Sequence, residues 1–235
     1  MLLRALEIGL NQPLHVREER LSARADAFRL LYVSDIHLRK GRSARLSRQI
    51  LDSAAPCAPA AVLLGGDLVD GASELGHVSE LVADLQEIAP VLAVGGNHDA
   101  RLGMDRVKAA VEAGGGRWIH EGVARVTQRG RVIAFAGPGA EPPAGADVRV
   151  LCAHNPRIWK TARHAGYDLV LAGHLHGFQL VLGEYRDRLF PGALFYPYCF
   201  LSHEAGSTRL IVSRGVSDLL PIRWQCPREV VLCHV

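Results

Sequence analysis

The sequence predicts an α/β fold with a second sheet, and two patterns in its 235 residues indicate it. In the first two thirds, short apolar runs alternate with amphipathic helical patterns, which is typical of an α/β domain. In the last third, apolar runs follow one another without helices, which favours a further, largely antiparallel sheet. Because no repeat or linker interrupts the chain, we expect a single domain over residues 1–235, with residues 1–27 as a peripheral N-terminal segment.

Buried strands are predicted where apolar runs rich in Val, Leu and Ile end in small or polar residues. The first two thirds and the adjoining segment contain five such runs, at residues 28–34, 60–65, 91–95, 148–153 and 168–172. Further strands are expected at 178–182, 208–212 and 229–235, together with a hairpin of 122–128 and 131–136 around Arg129-Gly130.

Helices are predicted between the strands by apolar residues that recur every three or four positions. The clearest pattern places six apolar side chains on one face and ends before Pro90: Leu75, Val78, Leu81, Val82, Leu85 and Ile88. Further helices are expected at 44–54, 104–113 and 156–165.

Composition excludes several classes of protein. A net charge of +3 is too small to bind nucleic acid by bulk attraction, so no nucleic-acid partner is expected. The five cysteines form no CxxC pair and are odd in number, which indicates buried thiols rather than disulfides. Arg4 and Glu7 interrupt the apolar core that a signal peptide needs, and no apolar stretch reaches the length of a membrane span. We therefore expect a cytoplasmic protein.

Metal-ligating residue types follow five predicted strands directly. They are Asp35 and His37, then Asp67 and Asp70, then Asn97 and His98, then His154, and finally His174 and His176. In open α/β sheets the carboxyl ends of the strands line the ligand crevice, so these side chains are expected to converge on one site. Glycines precede three of them and allow a close approach of the backbone.

The ordered series D-x-H, GD-x-x-D, GNHD, H and GH-x-H, from Asp35 to His176, resembles the calcineurin-like metallophosphoesterases. The tail at 210–215 and 221–223 is similar to a bacterial branch that includes UDP-2,3-diacylglucosamine pyrophosphatase-like proteins. The resemblance implies two packed mixed β-sheets flanked by helices, the four-layer sandwich of that superfamily.

The same resemblance implies two divalent metal ions. Asp35, His37 and His176 would hold the first, Asn97, His154 and His174 the second, and Asp67 would bridge them. Mixed oxygen and imidazole ligands suit Mn, Fe, Co or Zn better than Ca or Mg, and Mn is the leading choice. Hydroxide between the metals would then attack phosphorus in line.

His98 is not needed as a ligand, and we expect it to stabilise and protonate the leaving-group oxygen. Asp70 is similar to the family carboxylate that orients this histidine. Asp99 is interpreted as a carboxylate that fastens the loop. Where protein Ser/Thr phosphatases of the superfamily carry a phosphate-gripping Arg, this chain has Gly71, which counts against a phosphoprotein substrate.

Two segments near the predicted site bear on the substrate. Arg39, Arg42 and Arg45 belong to a basic decade after His37, which either captures a polyanion or forms a solvated face. The aromatic-rich segment Leu189–Leu201 is open to three interpretations: core packing, a dimer contact, or an apolar wall and peripheral membrane contact for a lipid.

The sequence thus predicts a dinuclear metallophosphoesterase acting on a small phosphorylated substrate. The scissile group is a phosphodiester or a phosphoanhydride, with a sugar-nucleotide pyrophosphate such as UDP-2,3-diacylglucosamine as one candidate. The alternatives are a catalytically silent metal-binding scaffold for protein assembly, and a nuclease. The sequence leaves the oligomeric state open.

Overall fold

Two six-stranded sheets pack face to face in the computed structural model, which describes residues 6–22 and 27–235. The first eight strands are β1 Leu6–Ile8, β2 His15–Arg20, β3 Arg29–Val33, β4 Ala61–Gly65, β5 Val91–Val94, β6 Arg117–Trp118, β7 Val123–Gln128 and β8 Arg131–Ala136. The others are β9 Val148–Cys152, β10 Leu169–Ala172, β11 Gly183–Tyr185, β12 Arg188–Phe190, β13 Ser202–Ala205, β14 Thr208–Val212, β15 Ile222–Trp224 and β16 Glu229–His234.

The α-helices lie mainly in the first half of the chain. They are α1 Ser43–Ala54, α2 Leu75–Gln86, α3 Asn97–Leu102, α4 Met104–Ala113 and the single turn α5 Trp159–Ala162. Short 3₁₀ turns occur at Ala55–Cys57, Ala72–Glu74, Pro156–Ile158, His176–Phe178 and Gly192–Leu194. The peripheral segment expected at 1–27 is described in part: β2 is an edge strand of the first sheet, while 1–5 and 23–26 lie outside the described residues.

The first sheet has the order β2-β16-β3-β4-β5-β6, and β3 to β6 run parallel. The second has the order β13-β14-β10-β9-β8-β7. The prediction that this sheet is largely antiparallel was wrong, because its three central pairings are parallel and only the outer two are antiparallel. An irregular crossover returns the chain from the end of β8 to the start of the parallel strand β9. The lack of a predicted helix between these strands therefore did not mean that they form an antiparallel hairpin.

Both sheets are mixed and are covered on their outer faces, which confirms the predicted class of two packed mixed sheets flanked by helices. Strand β3 illustrates why its sequence is almost continuously apolar. Leu31 and Val33 pack under α1 and α2, whereas Leu30 and Tyr32 pack between the two sheets. A strand buried on both faces needs apolar residues at every position rather than at alternate ones.

Most predicted elements occur within a residue or two of their expected bounds, and 104–113 coincides with α4. The strand predicted at 178–182 was wrong: the 3₁₀ turn His176–Phe178 leads into a loop that exposes Leu180 and Leu182. The helix predicted at 156–165 is shorter, a 3₁₀ turn followed by α5.

All five cysteines are free and buried, as the sequence predicts. Within the ranges 6–22 and 27–235, the structure contains no helix with the length and apolar character that crossing a membrane requires.

Candidate metal centre

Loops at the carboxyl ends of both sheets supply the candidate ligands. Asp35 and His37 follow β3, Asp67 follows β4 and Asn97 follows β5 of the first sheet, whereas His154 follows β9 and His174 and His176 follow β10 of the second. Contacts between backbone and side chain tie the two sets together. The backbone N–H of His174 donates to both carboxylate oxygens of Asp35, at 3.0 and 3.1 Å, and Nδ1 of His154 lies 3.0 Å from the carbonyl of Gly65.

One cluster consists of Asp35, His37 and His176, whose ligating atoms all lie within 4.8 Å of one another. All three residues are buried. The two imidazole Nε2 atoms are 3.3 Å apart, and Nε2 of His176 is 3.5 Å from Oδ1 of Asp35. The opposite nitrogens are engaged elsewhere: Nδ1 of His37 contacts Asp70 at 2.7 Å, and Nδ1 of His176 contacts the carbonyl of Ser217 at 3.0 Å. These contacts direct both Nε2 atoms inward.

A second cluster consists of Asp67, His154 and His174, again with ligating atoms within 4.8 Å. Nε2 of His154 lies 3.2 Å from Oδ2 of Asp67 and 3.2 Å from Nδ1 of His174. The carbonyl of Gly65 occupies Nδ1 of His154, so this ring also presents Nε2 to the cluster.

Asp67 lies between the two clusters. Its Oδ2 is 3.2 Å from Nε2 of His154 and 3.7 Å from Nε2 of His37, one histidine in each cluster. Its Oδ1 accepts a hydrogen bond from the backbone N–H of His98 at 2.8 Å, which fixes the plane of the carboxylate. One carboxylate therefore reaches both groups of imidazoles.

The backbone of the candidate ligands is strained. Five of them adopt left-handed φ values of 48° to 74°, a region in which residues with a Cβ are uncommon. They are Asp35, His37, Asp67, His174 and His176. Such conformations cost about 1–3 kcal/mol each and cluster at functional sites. Because this backbone strain destabilises the fold, its concentration at these five residues indicates that they serve a function other than stability.

The donor set fits divalent metal ions. Oδ1 of Asn97 is buried and has no hydrogen-bond partner among the described residues, an arrangement that is costly unless a cation or water satisfies the oxygen. In two pairs of histidines, a ring nitrogen of one faces a ring nitrogen of the other at 3.2–3.3 Å. A cation bound between the two nitrogens would accept both lone pairs, which explains why they point toward each other. Oxygen and nitrogen donors without thiolate are typical of Mn, Fe, Co or Zn sites.

Local charges keep the carboxylates ionised. Burial alone would raise the pKa of Asp67, but the hydrogen bond and charge of His154 outweigh it and hold the pKa well below its usual range. The pKa of Asp35 is lowered too, because the charges of His176 and His154 outweigh its burial. Burial lowers the pKa of His176 to about 4, whereas the hydrogen bond to Asp67 and the charges of Asp35 and Asp67 outweigh burial and raise the pKa of His154 to about 9. Because a metal ligand must be deprotonated, metal binding by His154 would release its proton.

His98 and Asp70 lie at the solvent-accessible side of the clusters. Nδ1 of His98 is 2.9 Å from Oδ1 of Asp70, and the side chain of His98 is 28% exposed. The contact to Asp70 fixes the ring orientation and leaves Nε2 available to a ligand. His98 belongs to neither cluster described above, but with His37 and Asp70 it forms a third group whose candidate ligand atoms lie within 4.8 Å of one another.

Sequence reasoning missed a second contact of Asp70, because the same Oδ1 lies 2.7 Å from Nδ1 of His37. It also missed Ser217, whose carbonyl orients His176; the only signal was the tail motif at 210–215 just before it. The predicted loop-fastening role of Asp99 is confirmed. Its carboxylate accepts hydrogen bonds from the backbone N–H groups of Leu68, Val69 and Gly96.

The basic residues after His37 have different surroundings. Arg39 donates to the carbonyl of Asp218 at 3.2 Å, in the loop that orients His176. Nη1 of Arg42 is buried without a partner in the described chain. Arg45 donates to Asn11 at 3.4 Å. Their predicted substrate contact stays a prediction.

The aromatic segment Leu189–Leu201 is divided between core and surface. Leu189 and Cys199 are buried, whereas Leu194 and Phe195 are 70% and 77% exposed. Between them, the hydroxyl of Tyr196 donates to Oδ1 of Asn155 at 2.8 Å, one residue after His154. The segment therefore lies next to the cluster of candidate ligands that contains His154.

Comparisons with known proteins agree with this architecture. Over 232 residues the chain is 26% identical to Phosphodiesterase YaeI of Escherichia coli (strain K12), covering 90% of this chain and 83% of that protein. It is 25% identical over 170 residues to the uncharacterized protein YpbG of Bacillus subtilis (strain 168), covering 66% and 64%. A dimetal phosphatase from Danio rerio has a similar fold, with a TM-score of 0.51, 12% identity, and coverage of 83% of this chain and 90% of that one.

The model of one protein family, "Calcineurin-like phosphoesterase", matches residues 28–178. That span includes β3 to β10 and every candidate ligand described above. The chain therefore belongs to the calcineurin-like phosphoesterases, metal-dependent hydrolases of phosphoesters.

Proposed function

We propose that this protein is a phosphodiesterase with a two-metal centre. The observation that carries the proposal is Asp67, whose Oδ2 lies within 3.7 Å of one histidine from each cluster. A carboxylate in that position suits two cations about 3.5–4 Å apart. The similarity to Phosphodiesterase YaeI supports a diester as the substrate.

Seven residues would hold the metals. Asp35, His37 and His176 would hold one ion, Asn97, His154 and His174 the other, and Asp67 both. When bound, two divalent cations supply Lewis acidity that neutralises phosphate charge and activates water for in-line displacement. Mn²⁺ is the ion we propose, with Fe, Co and Zn as alternatives.

His98 acts on the leaving group. Oδ1 of Asp70 accepts a hydrogen bond from Nδ1–H of His98 and holds the ring in place, so Nε2–H would donate its proton to the departing oxygen. The backbone N–H of His98 also binds Asp67, which ties the position of this acid to the metal-bridging carboxylate. A proton donor fixed in this way contributes about 10²–10⁴-fold to the rate.

Hydrolysis of bis-p-nitrophenyl phosphate with Mn²⁺ tests the proposal directly. We expect Asp67→Asn and His98→Ala each to lower kcat by at least about 100-fold. Asp84→Asn, an exposed carboxylate on α2, serves as the matched control and should retain full activity. Wild-type turnover by Asp67→Asn would refute the two-metal assignment.

A second candidate is an amphiphilic sugar-nucleotide pyrophosphate such as UDP-2,3-diacylglucosamine. Two pairs of exposed apolar side chains adjoin residues that contact the site, which favours a lipid-bearing substrate and a peripheral membrane contact. Leu194 and Phe195 precede Tyr196, which binds Asn155 next to His154. Leu219 and Leu220, each 61% exposed, follow Ser217, whose carbonyl contacts His176, and their backbone N–H groups bind Gln179.

Substrates with and without acyl chains distinguish this candidate. We expect UDP-2,3-diacylglucosamine to be hydrolysed faster than UDP-N-acetylglucosamine, and a Leu194→Ser/Phe195→Ser variant to lose that preference. Equal rates on both substrates would dismiss the lipid-bearing candidate and leave the phosphodiesterase proposal intact. Salt-sensitive binding and cleavage of DNA would point to the nuclease alternative instead.

A further inference from the structure

A cavity of about 280 Å³ opens beside the second ligand cluster. Asn97 and His154 form one wall, and the others are formed by Met104, His120, Pro138 and Ile158. No Asp, Glu, Lys or Arg of the described ranges lines it. The proposed reaction leaves these four residues without a role, although they adjoin two metal-ligating groups.

The cavity is preformed by rigid elements. Met104 begins α4, His120 follows β6, Pro138 follows β8, and Ile158 ends the 3₁₀ turn after β9. Gly95 is required for this packing, because a Cβ at that position would overlap the sulfur of Met104 and meet the ring of Trp118. The walls therefore come from residues in or just after regular elements of both sheets.

His120 places a hydrogen-bond donor at the wall, in addition to the side-chain amides of Asn97 and Asn155. Its Nδ1 accepts the backbone N–H of Gly95 at 3.1 Å, and its ring stacks on Trp118 with centroids 5.9 Å apart. Burial lowers the pKa of His120, so the ring is neutral and carries its proton on Nε2. Within residues 6–22 and 27–235, that Nε2–H makes no hydrogen bond.

We propose that this cavity binds an uncharged ring of the substrate, with the Nε2–H of His120 donating to an acceptor on that ring. This inference rests on the proposed phosphodiesterase function and names the substrate class: diesters in which one esterifying group is a compact aromatic or heteroaromatic ring. A charged group is excluded by the cost of its desolvation against apolar walls. The thioether of Met104 and the imidazole of His120 favour contact with a ring over an alkyl chain.

The volume of the cavity limits the size of the group that it can bind. Pockets for drug-sized ligands measure about 300–1,000 Å³, so 280 Å³ accommodates one ring with a small substituent. An acylated sugar is too large for it. Because Asn97 and His154 form the adjacent wall, a ring in the cavity places its attached phosphorus beside the proposed metal ligands.

Non-hydrolysable phosphonates test the inference by binding alone. Isothermal titration of the Mn²⁺-loaded protein compares phenylphosphonate with methylphosphonate, which differ only in the group aimed at the cavity. We expect phenylphosphonate to bind about tenfold more tightly. In Ile158→Trp, which fills the cavity, that preference should disappear while the affinity for methylphosphonate stays unchanged.

Two further variants control for the possibility that Ile158→Trp loses the preference because it misfolds. Ile158→Ala opens the wall without adding bulk and should also reduce the preference for phenyl. Ile88→Trp places the same bulk on a half-buried isoleucine under the first sheet, and it should keep the wild-type preference. Equal affinities of the wild-type protein for the two phosphonates would overturn the proposed ring site.

The donor of His120 is tested separately with 4-acetylphenylphosphonate, which adds a carbonyl acceptor. His120→Asn retains an acceptor for the N–H of Gly95 but removes the Nε2–H. We expect the acetyl group to improve binding several-fold in the wild type only; the same gain in His120→Asn would show that His120 is not the donor. Failure to hydrolyse any diester would reject the proposed function, yet the ratio of phosphonate affinities would still be measurable.

Discussion

Oδ1 of Asp70 lies 2.7 Å from Nδ1 of His37, and the same oxygen lies 2.9 Å from Nδ1 of His98. One carboxylate thus orients both a proposed metal ligand and the proposed proton donor. Burial would raise the pKa of Asp70, but the hydrogen bond and charge of His37 and the charge of His98 lower it, so the carboxylate stays ionised. The proposed metal binding by His37 and the proposed proton transfer from His98 would therefore be coupled through a single side chain.

Because one oxygen of Asp70 contacts both histidines, substitution of Asp70 should produce a different defect from substitution of His98. Asp70→Asn should lower both kcat and Mn²⁺ affinity, the latter by about 10–100-fold, because it removes the contact that orients His37. His98→Ala should lower kcat and leave Mn²⁺ affinity unchanged. Calorimetric titration with Mn²⁺, run beside turnover of bis-p-nitrophenyl phosphate, separates the two effects. Unchanged Mn²⁺ affinity in Asp70→Asn would contradict the coupling.

Gly96 packs directly on the carboxylate of Asp67, the proposed metal bridge, and a Cβ there would overlap it. We predict that Gly96→Ala displaces Asp67 and abolishes Mn²⁺ binding. The matched control is Gly76→Ala in α2, where a Cβ would meet nothing within 4 Å. That variant should gain about 0.4–1 kcal/mol of stability and keep Mn²⁺ binding. Titration of both variants with Mn²⁺ gives the comparison, and tight Mn²⁺ binding by Gly96→Ala would contradict the prediction.

Arg42 and Arg45 are expected to contribute unequally to binding of a polyanionic substrate. Nη1 of Arg42 is buried without a partner among the described residues, whereas Arg45 already contacts Asn11. Loss of a charge-assisted hydrogen bond costs about 1.5–3 kcal/mol, so Arg42→Ser should raise KM for a nucleotide diphosphate ester about tenfold. Arg45→Ser should raise it less, and the exposed Arg48→Ser not at all. Equal KM values in all three variants would show that the basic residues after His37 form a solvated face and do not bind the substrate.

The identity of the candidate ligands was predictable because each follows an apolar strand directly, as Asp35 follows β3 and His174 follows β10. Their grouping was not predictable from strand ends alone. Each cluster combines residues of both sheets, for example Asp35 with His176, and that pairing depends on how the two sheets pack. The family resemblance supplied what local sequence could not.

The contacts that orient the ligands escaped sequence reasoning for a related reason. His37 adopts a φ of 48°, and in this conformation its Nδ1 contacts Asp70. The carbonyl of Ser217 meets His176 from 41 residues away. Neither contact can be predicted from sequence periodicity, because both arise from irregular backbone between helices and strands. The same limit explains the error at 178–182, where apolar Leu180 and Leu182 suggested a buried strand but lie on the surface.

The fold also contains a buried charge cluster around Glu229 that predicts how stability depends on pH. This carboxylate is buried on β16 and accepts hydrogen bonds from Arg17 at 3.1 Å and from the backbone N–H of Arg214 at 3.0 Å. Burial alone would raise its pKa, but the charges of Arg17 and Arg214 lower it below the ordinary value of 4.5. The stabilisation from Glu229 is therefore fully present above pH 4.5 and is lost as pH falls through the lowered pKa of the folded state.

Urea unfolding between pH 3 and 7 measures this contribution, with pH steps of about half a unit. At pH 7, Glu229→Gln should lose about 3–5 kcal/mol, because it removes the counter-charge of the buried Arg214 guanidinium and leaves Arg17 paired with Glu19 alone. Below pH 4.5 the difference between the variant and the wild type should shrink, since the carboxyl of Glu229 is protonated first in the unfolded chain, which favours unfolding, and at lower pH in the folded protein as well. Glu80→Gln, an exposed glutamate on α2, should follow the wild type throughout. A difference that stays constant from pH 7 to pH 3 would mean that Glu229 stabilises the fold by packing rather than by its charge.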